Sequence, residues 1–416
     1  MSGKSRAGWV QRWGHLPESL GATAHSRPRI WAHAVSAGEV VAAVPILREL
    51  RRVLPGHDVV LSVTTAAGME MAEQQAARYT DGTFFFPMDL PWIARRVVAQ
   101  IDPDIFISLE SEMWPNVLHE LKKRGAATLM VNGRISERNY RRIQRFGKSL
   151  FRWMLSNMDR LLVQSEPDAT RIRAIGGAPV ADRVQVIGNS KFDQEIPNLS
   201  EEECSAMRAE LGFPADAPIF VAGSTRSAEE ENEVIRAYRL MLARAPSLCL
   251  LMAPRQVERA AELTAAMREQ GLEPVRKTEL RGRGDTRHLV LDTMGDLAAV
   301  YAIASFAFVG NSFPPVVKGG GQNLVQPLAH GKPVFFGPRT ATITSEVALA
   351  VDAGVGFQVR SAEELAECAI GLLNDPTKAA EIGRRAQTLI ASQRGVSARY
   401  AAAVADVVRS ARVTRP

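Results

Sequence analysis

"WAHAVSAGEV", Trp31–Val40, decides the fold. An apolar run with the character of a buried strand stops at Ser36, Gly38 follows, and the carboxylate of Glu39 stands where a helix begins. The next stretch, "VVAAVPILRELRRVL", places Val40, Val44, Leu47, Leu50 and Leu54 on one helical face and arginines on the other. Strand, glycine-bearing turn and amphipathic helix make one repeat of a parallel α/β layer, and the pattern continues outward in both directions. Strands are expected near 30–35, 59–64, 84–87, 105–109, 127–131, 161–164 and 184–187. After the polar, proline-containing stretch Asp193–Ser200 they recur near 219–223, 248–253, 289–291, 306–310 and 334–337. A chain of 416 residues exceeds what one core usually supports. The expected fold class is therefore α/β, two facing Rossmann-like domains over 1–194 and 204–395 with a linker at 195–203. A last helix within 396–416, from Ser397 to Arg412, is expected to pack back on the first domain.

Composition narrows the class. With 46% hydrophobic and 23% charged residues and a mean hydropathy of -0.08, the chain has the profile of an ordinary globular protein. Its three cysteines, Cys204, Cys249 and Cys368, are widely spaced and form no C-x-x-C pair, which argues against a disulfide framework or a zinc site and fits a reducing, cytoplasmic setting. No secretory h-region is visible, and the best candidate for a membrane span, Leu297–Val309, falls short of the ~20 residues that cross a bilayer. The net charge of +6 arises wholly in the first half: residues 1–200 hold 26 Lys and Arg against 20 Asp and Glu, residues 201–416 hold 25 of each. Residues 122–160 alone carry 11 basic side chains and two acidic ones, Glu137 and Asp159. Such a run is either a solvated helix face or a surface for an anionic membrane or a phosphorylated substrate. No nucleic-acid-binding motif accompanies it.

Several strand-to-helix junctions carry chemistry. "SAGE" at 36–39, "AGSTRS" at 222–227 and "KGGGQN" at 318–323 suit a phosphate or carboxylate at a helix N-terminus, or are tight turns and nothing more. None matches a P-loop or a dinucleotide fingerprint. In "LESEMWPNVL", Glu110 and Glu112 end a buried strand and alternate onto one face. That spacing lets them repel and raise a pKa, share a cation or positioned donors, or cap the helix begun at Pro115. "APRQVER" puts the planar fork of Arg255 directly after a strand, and "DTMGDL" at 292–297 forms a glycine turn with Asp296 in the first turn of a helix.

Together, and in this order, the motifs "QRWG" (11–14), "HAVSAGE" (33–39), "ESEMWPN" (110–116), "NGRISERN" (132–139), "GNSKFD" (188–193), "AGSTRSAEE" (222–230), "PRQVER" (254–259), "DTMGDL", "GGGQNLVQP" (319–327) and "GKPVFFGP" (331–338) resemble the 3-deoxy-D-manno-octulosonic acid (Kdo) transferases, glycosyltransferases of the GT-B type. The resemblance spans nearly the whole chain. It implies inverting transfer of Kdo from CMP-Kdo to a lipid A precursor, lipid IVA, in lipopolysaccharide core synthesis, with no metal or other cofactor. It also implies roles. Glu39 would be the catalytic base, with Ser36, Gly38, Glu110 and Arg134 on the acceptor side. Arg255, Met294, Gly295, Asn323, Gln326, Ser224 and Lys191 would hold the donor, Met294 and Gly295 at the cytosine and Arg255, Lys191 and Ser224 at anionic groups. A helix N-terminus is expected to keep Glu39 ionised and to lower its pKa.

Two departures stand out. The family's usual GGHNPLEP pattern has Gln322 and Gln326 here in place of His and Glu. Many members carry a hydrophobic anchor ahead of "QRWG", whereas this chain starts almost at the motif; the expectation is peripheral attachment to the cytoplasmic face of the inner membrane through the basic segment. The alternatives are a relative that uses another CMP-activated acidic sugar or acceptor, and a non-catalytic glycolipid- or nucleotide-binding protein.

Overall fold

The computed structural model describes residues 8–21, 28–280, 282, 284–316 and 320–414; Lys318 and Gly319, parts of two of the motifs, lie outside them. Contacts divide the chain into two units. The first holds the described residues up to Glu195 together with those from Gln393 onward, and the second spans Ile196–Ser392.

In the first unit, seven parallel strands, β1 (Arg29–Ala34), β2 (Asp58–Val63), β3 (Gly82–Phe85), β4 (Ile105–Leu109), β5 (Ala127–Gly133), β6 (Arg160–Val163) and β7 (Val184–Val186), are ordered β3-β2-β1-β4-β5-β6-β7. Strand order reverses between β1 and β4, so a crevice opens at their carboxyl ends. Every residue of β1 and β4 is buried, because helices cover both faces of the sheet. The helices that matter to the site are α1 (Ala37–Val53), α2 (Pro115–Lys123), α3 (Glu137–Phe146) and α4 (Lys148–Ser156). On α1 the buried stripe is Val40, Ala43, Ile46, Leu47 and Leu50. Leu54, the C-cap, is buried in the same core and half-buried Val44 packs against it, so the helix presents the face the sequence pattern favours.

In the second unit, β8 (Ile219–Thr225), β9 (Cys249–Pro254), β10 (Pro274–Arg276), β11 (His288–Val290), β12 (Phe306–Val309), β13 (Val334–Phe336) and β14 (Gly356–Gln358) form another parallel sheet, ordered β10-β11-β9-β8-β12-β13-β14. Its order reverses between β8 and β12. The stretch 195–203 is not a bare linker: Glu195 pairs with Arg48 at 2.9 Å and Arg78 at 3.0 Å in the first unit, and a helix capped by Ser200 starts at Glu201. The helices used below are α5 (Ala228–Leu242) and α6 (Val325–Ala329).

The last helix, α7 (Val396–Thr414), belongs to the first unit. Val396, Tyr400, Ala401 and Val404 are buried in the same core as Val40, Leu47 and Leu50 of α1. Asp193 fixes its start by accepting the backbone N–H of Gly395 at 2.7 Å and of Ser397 at 2.5 Å, and the Tyr400 hydroxyl donates to Gly188 O at 2.7 Å. Among the described residues no helix is long and apolar enough to cross a membrane.

Candidate functional site

Glu39 is the third residue of α1 and is half-buried. Its Oε2 accepts the Val35 N–H at 2.7 Å and its Oε1 accepts the Ser36 hydroxyl at 3.2 Å. A carboxylate has about four lone-pair positions, so room remains for a hydroxyl of a bound molecule. The Val35 peptide that aims the carboxylate is itself held, since Val35 O accepts Thr64 N–H at 3.1 Å and Thr65 N–H at 3.0 Å. A Cβ on Gly68 would come within 3.3 Å of Val35 O, so this glycine permits the approach. Gly38 plays no such part: it lies exposed within α1, and an added Cβ would meet nothing closer than Ser36 Oγ at 3.9 Å. The carboxylate sits on the first turn of a helix, not on a glycine turn.

The sign of the Glu39 pKa differs from the helix-dipole expectation. Desolvation is the largest influence, the charges of Glu110 and Glu112 add to it, and together they outweigh the two hydrogen bonds and push the carboxyl up to about 8. The dipole is worth a few tenths to 1 kcal/mol at a surface, which a desolvated carboxyl beside two others readily exceeds. Glu112 is raised too, by burial first and Glu110 second.

Glu110 and Glu112 do not alternate along a strand. β4 ends at Leu109, and Glu110 turns the chain with a left-handed φ of 55°, its N–H donating to Val131 O at 3.0 Å. Nor do they cap α2. Asp89 does, accepting the N–H of Asn116 at 3.1 Å and of Val117 at 2.9 Å, which leaves both glutamates for the space beside Glu39. The charges of Glu110 and Glu112, which follow β4, thus act on Glu39, which follows the neighbouring β1. Arg134, half-buried, follows β5 on the next strand over. Lys191 lies in a short 3₁₀ turn, Ser190–Asp193, whose Ser190 hydroxyl donates to Ala42 O of α1 at 2.8 Å. It is half-buried and belongs to the first unit, unlike the other residues expected to hold a donor.

Two contributors escape a reading of the sequence alone. His33 on β1 is fully buried; its Nδ1 meets Ser62 O at 3.1 Å, and since a carbonyl can only accept, Nδ1 carries the proton. Its Nε2 then accepts the Trp114 indole N–H at 3.2 Å, while the ring stacks on Phe86 at 3.9 Å. Burial drives its pKa down to about 3, so it stays neutral and ties the Glu110–Trp114 turn to the strand that leads into Glu39. The available signal is a histidine inside an apolar strand with a tryptophan in the neighbouring motif. Arg12 of "QRWG" is the other: its guanidinium donates to Thr64 O and lies 4.7 Å from the Phe85 ring centroid, bracing the loop that holds Val35.

In the second unit the expected residues gather at the carboxyl edge of the sheet. Ser224, at a bulge in β8, has a left-handed φ of 62°, a strained conformation for a non-glycine residue. Arg255 N–H donates to Thr225 O at 2.8 Å, and Gly310 packs so tightly that a Cβ there would sit 2.6 Å from Thr225 Cα. Gly321 N–H donates to Asn311 O at 2.5 Å, bringing the segment with half-buried Gln322, Asn323 and Gln326 to the end of β12. The Asn323 carboxamide oxygen accepts the Val325 N–H at 2.9 Å at the start of α6. Beyond β11, Asp296 occupies the N-cap position of the next helical turn without a side-chain capping bond and takes Lys277 Nζ at 2.8 Å, with Met294 exposed and Gly295 at φ 94°. Four adjacent strands, β11, β9, β8 and β12, span roughly 15 Å, the size of a nucleotide. Among the described residues no cluster of three or more His, Cys, Asp or Glu is arranged to hold a metal.

Comparison with known proteins adds the family. Residues 7–194 match the family model described as 3-deoxy-D-manno-octulosonic-acid transferase (kdotransferase). The chain is 31% identical over 386 residues to the 3-deoxy-D-manno-octulosonic acid transferase of Bordetella pertussis, covering 91% of this chain and 87% of that one. It is 28% identical over 370 residues to the enzyme of that name from Haemophilus influenzae, covering 88% and 84%. Among solved structures, Anabaena HepE in complex with UDP-glucose aligns with a TM-score of 0.58 at 16% identity over 92% of this chain and 99% of that one. The fold is thus GT-B, built of two Rossmann-like domains.

Proposed function

Because the chain belongs to the 3-deoxy-D-manno-octulosonic acid transferase family and is a glycosyltransferase, we propose that it moves Kdo from CMP-Kdo to the lipid A precursor lipid IVA, with inversion and without a resident metal. Glu39 is the general base. Its ionised carboxylate takes the proton of an acceptor hydroxyl as that oxygen bonds to the anomeric carbon, and the bond from that carbon to the phosphate oxygen breaks to release CMP. The observation that carries this reading is Glu39 itself: a half-buried carboxylate held by Val35 N–H, with open lone pairs and a pKa near 8. A base with a raised pKa is a stronger proton acceptor, and one poised near neutral pH still has an ionised fraction to work with. Glu110 and Arg134 serve the acceptor. Arg255, Ser224, Asn323, Gln326, Met294 and Gly295 serve the donor.

The test is incubation of the protein with CMP-Kdo generated in situ and lipid IVA, followed by mass spectrometry. Expected is acceptor grown by the mass of Kdo. Transfer of a different CMP-activated acidic sugar instead would move the reading to another donor, recognised through Gln322 and Gln326; CMP binding without any transfer would leave a binding protein on this fold.

The membrane is approached through α3 and α4. Phe146 is 77% exposed and Leu150 51%, beside the exposed Arg138, Arg142, Arg145 and Lys148. Apolar side chains set among basic ones suit an anionic interface, each cation there contributing about 1 kcal/mol. Co-sedimentation with vesicles containing anionic lipid is expected, weakening when Arg142 and Arg145 become Glu. Equal recovery on neutral vesicles would remove this attachment.

A further inference from the structure

We propose that Arg226, which neither the sequence motifs nor the comparisons assign, joins Arg255 in a two-guanidinium seat for the paired negative charges of an acidic sugar nucleotide, the phosphodiester and the sugar carboxylate. The proposal rests on the transferase reading and deepens it by naming what selects an acidic donor.

The placement follows from the sheet. β8 and β9 are paired in register so that Thr225 lies opposite Pro254, and the residue that follows each is an arginine. Arg226 thus stands at the β8/β12 reversal, where open α/β sheets bind ligands, with Arg255 one strand away. The two are close enough for the charge of Arg226 to pull the Arg255 pKa down, second to the desolvation of Arg255.

Like charges this close need a counter-charge, and among the described residues neither arginine is in an ion pair with a carboxylate. The nearby Arg259 shows the contrast, paired with Glu231 at 2.5 Å and Glu262 at 3.4 Å. Glu230 is reached by the Arg226 backbone but is already saturated: Oε2 takes the N–H of Arg226 and Asn311, and Oε1 takes the N–H of Ser312 and Phe313. The Arg226 side chain is half-buried and its Nε is buried without a hydrogen-bond partner. A buried guanidinium N–H without an acceptor costs stability, and an incoming anion removes that cost. A planar fork on each of two neighbouring strands suits two anionic groups joined through one anomeric carbon, and a neutral sugar nucleotide would fill only half of the seat.

The experiment measures binding of CMP and of cytidine by calorimetry, and KM and kcat for CMP-Kdo, in wild type, Arg226→Gln, Arg226→Lys and Arg255→Gln, with thermal melts to check folding. Expected for Arg226→Gln is a loss of CMP affinity, a rise in donor KM, or both, of about ten- to a hundredfold, the effect of one charge-assisted contact. Cytidine binding should be unchanged and Arg226→Lys should recover part of the loss. Unchanged CMP affinity together with unchanged donor KM in a folded Arg226→Gln protein overturns the seat while wild-type transfer upholds the transferase reading. Equal loss for cytidine and CMP, or no CMP binding by wild type, also overturns it. A seat that behaves as expected in a protein that transfers no Kdo would instead remove Kdo as the sugar.

Discussion

Glu39→Gln lowers the turnover of Kdo transfer by about 10²–10⁴-fold, the range expected for removal of a general base, and leaves CMP binding in place. The amide keeps an oxygen for the Val35 N–H, so the local geometry survives while the proton acceptor is lost. The wild-type pH profile supplies the companion measurement. With its carboxyl near 8, Glu39 is ionised in about a tenth of molecules at pH 7, so kcat/KM should climb with pH and level off above about 8. Removing a neighbouring charge by Glu110→Gln or Glu112→Gln should move that limb to lower pH, because those charges raise the carboxyl. Stability carries the same signature. A carboxyl raised in the folded state binds a proton that the unfolded chain has released, so wild-type stability should decline between the unfolded value of about 4.5 and about 8, and Glu39→Gln should lack that decline. A flat rate profile across this window, or turnover by Glu39→Gln within about threefold of wild type, would remove Glu39 as the base.

How much of this was legible in the sequence depended on whether a feature is local. Long apolar strands such as Ile105–Leu109 announce themselves because both faces are buried. β10 and β14, the two strands at the edges of the second sheet, do not: each has three residues, and Val275, Arg276, Phe357 and Gln358 are not fully buried, so no apolar run marks them. The position of Glu39 at a helix start is local and visible in "SAGE". Its titration is not, because the acids that raise it arrive from β4, some 70 residues further along. The spacing of Glu110 and Glu112 misleads for a related reason. A left-handed residue at Glu110 breaks the two-residue alternation, and no glycine signals it. Arg226 is hidden in a motif that reads as a backbone turn, since the charge of an isolated arginine says nothing until register puts Arg255 beside it.

Glu230→Ala is expected to destabilise the second unit by about 3–5 kcal/mol, the cost of leaving several buried N–H donors without an acceptor at about 1–3 kcal/mol each. The carboxylate is 1% exposed and joins the turn after β8 to the turn after β12 through four backbone N–H groups at 2.7–3.1 Å. Burial raises its pKa against the pull of those donors, which means that desolvation is not fully offset even with every oxygen engaged. Alanine would leave the backbone N–H groups of Arg226, Asn311, Ser312 and Phe313 without their acceptor beside Gly310, which packs tightly on Thr225. Gln is no remedy, because its NH₂ would face two N–H donors. At about 2–4 °C per kcal/mol for a unit of this size, the melting transition should fall by roughly 10 °C or more, readable by calorimetry. The contrast with Arg226→Gln separates scaffold from seat: that change removes a cation and leaves all four N–H bonds to Glu230 intact, so affinity should drop without a comparable fall in melting temperature. A Glu230→Ala protein that melts within about 2 °C of wild type would mean that the two turns hold their positions without the carboxylate, and that this edge of the sheet is built by strand packing alone.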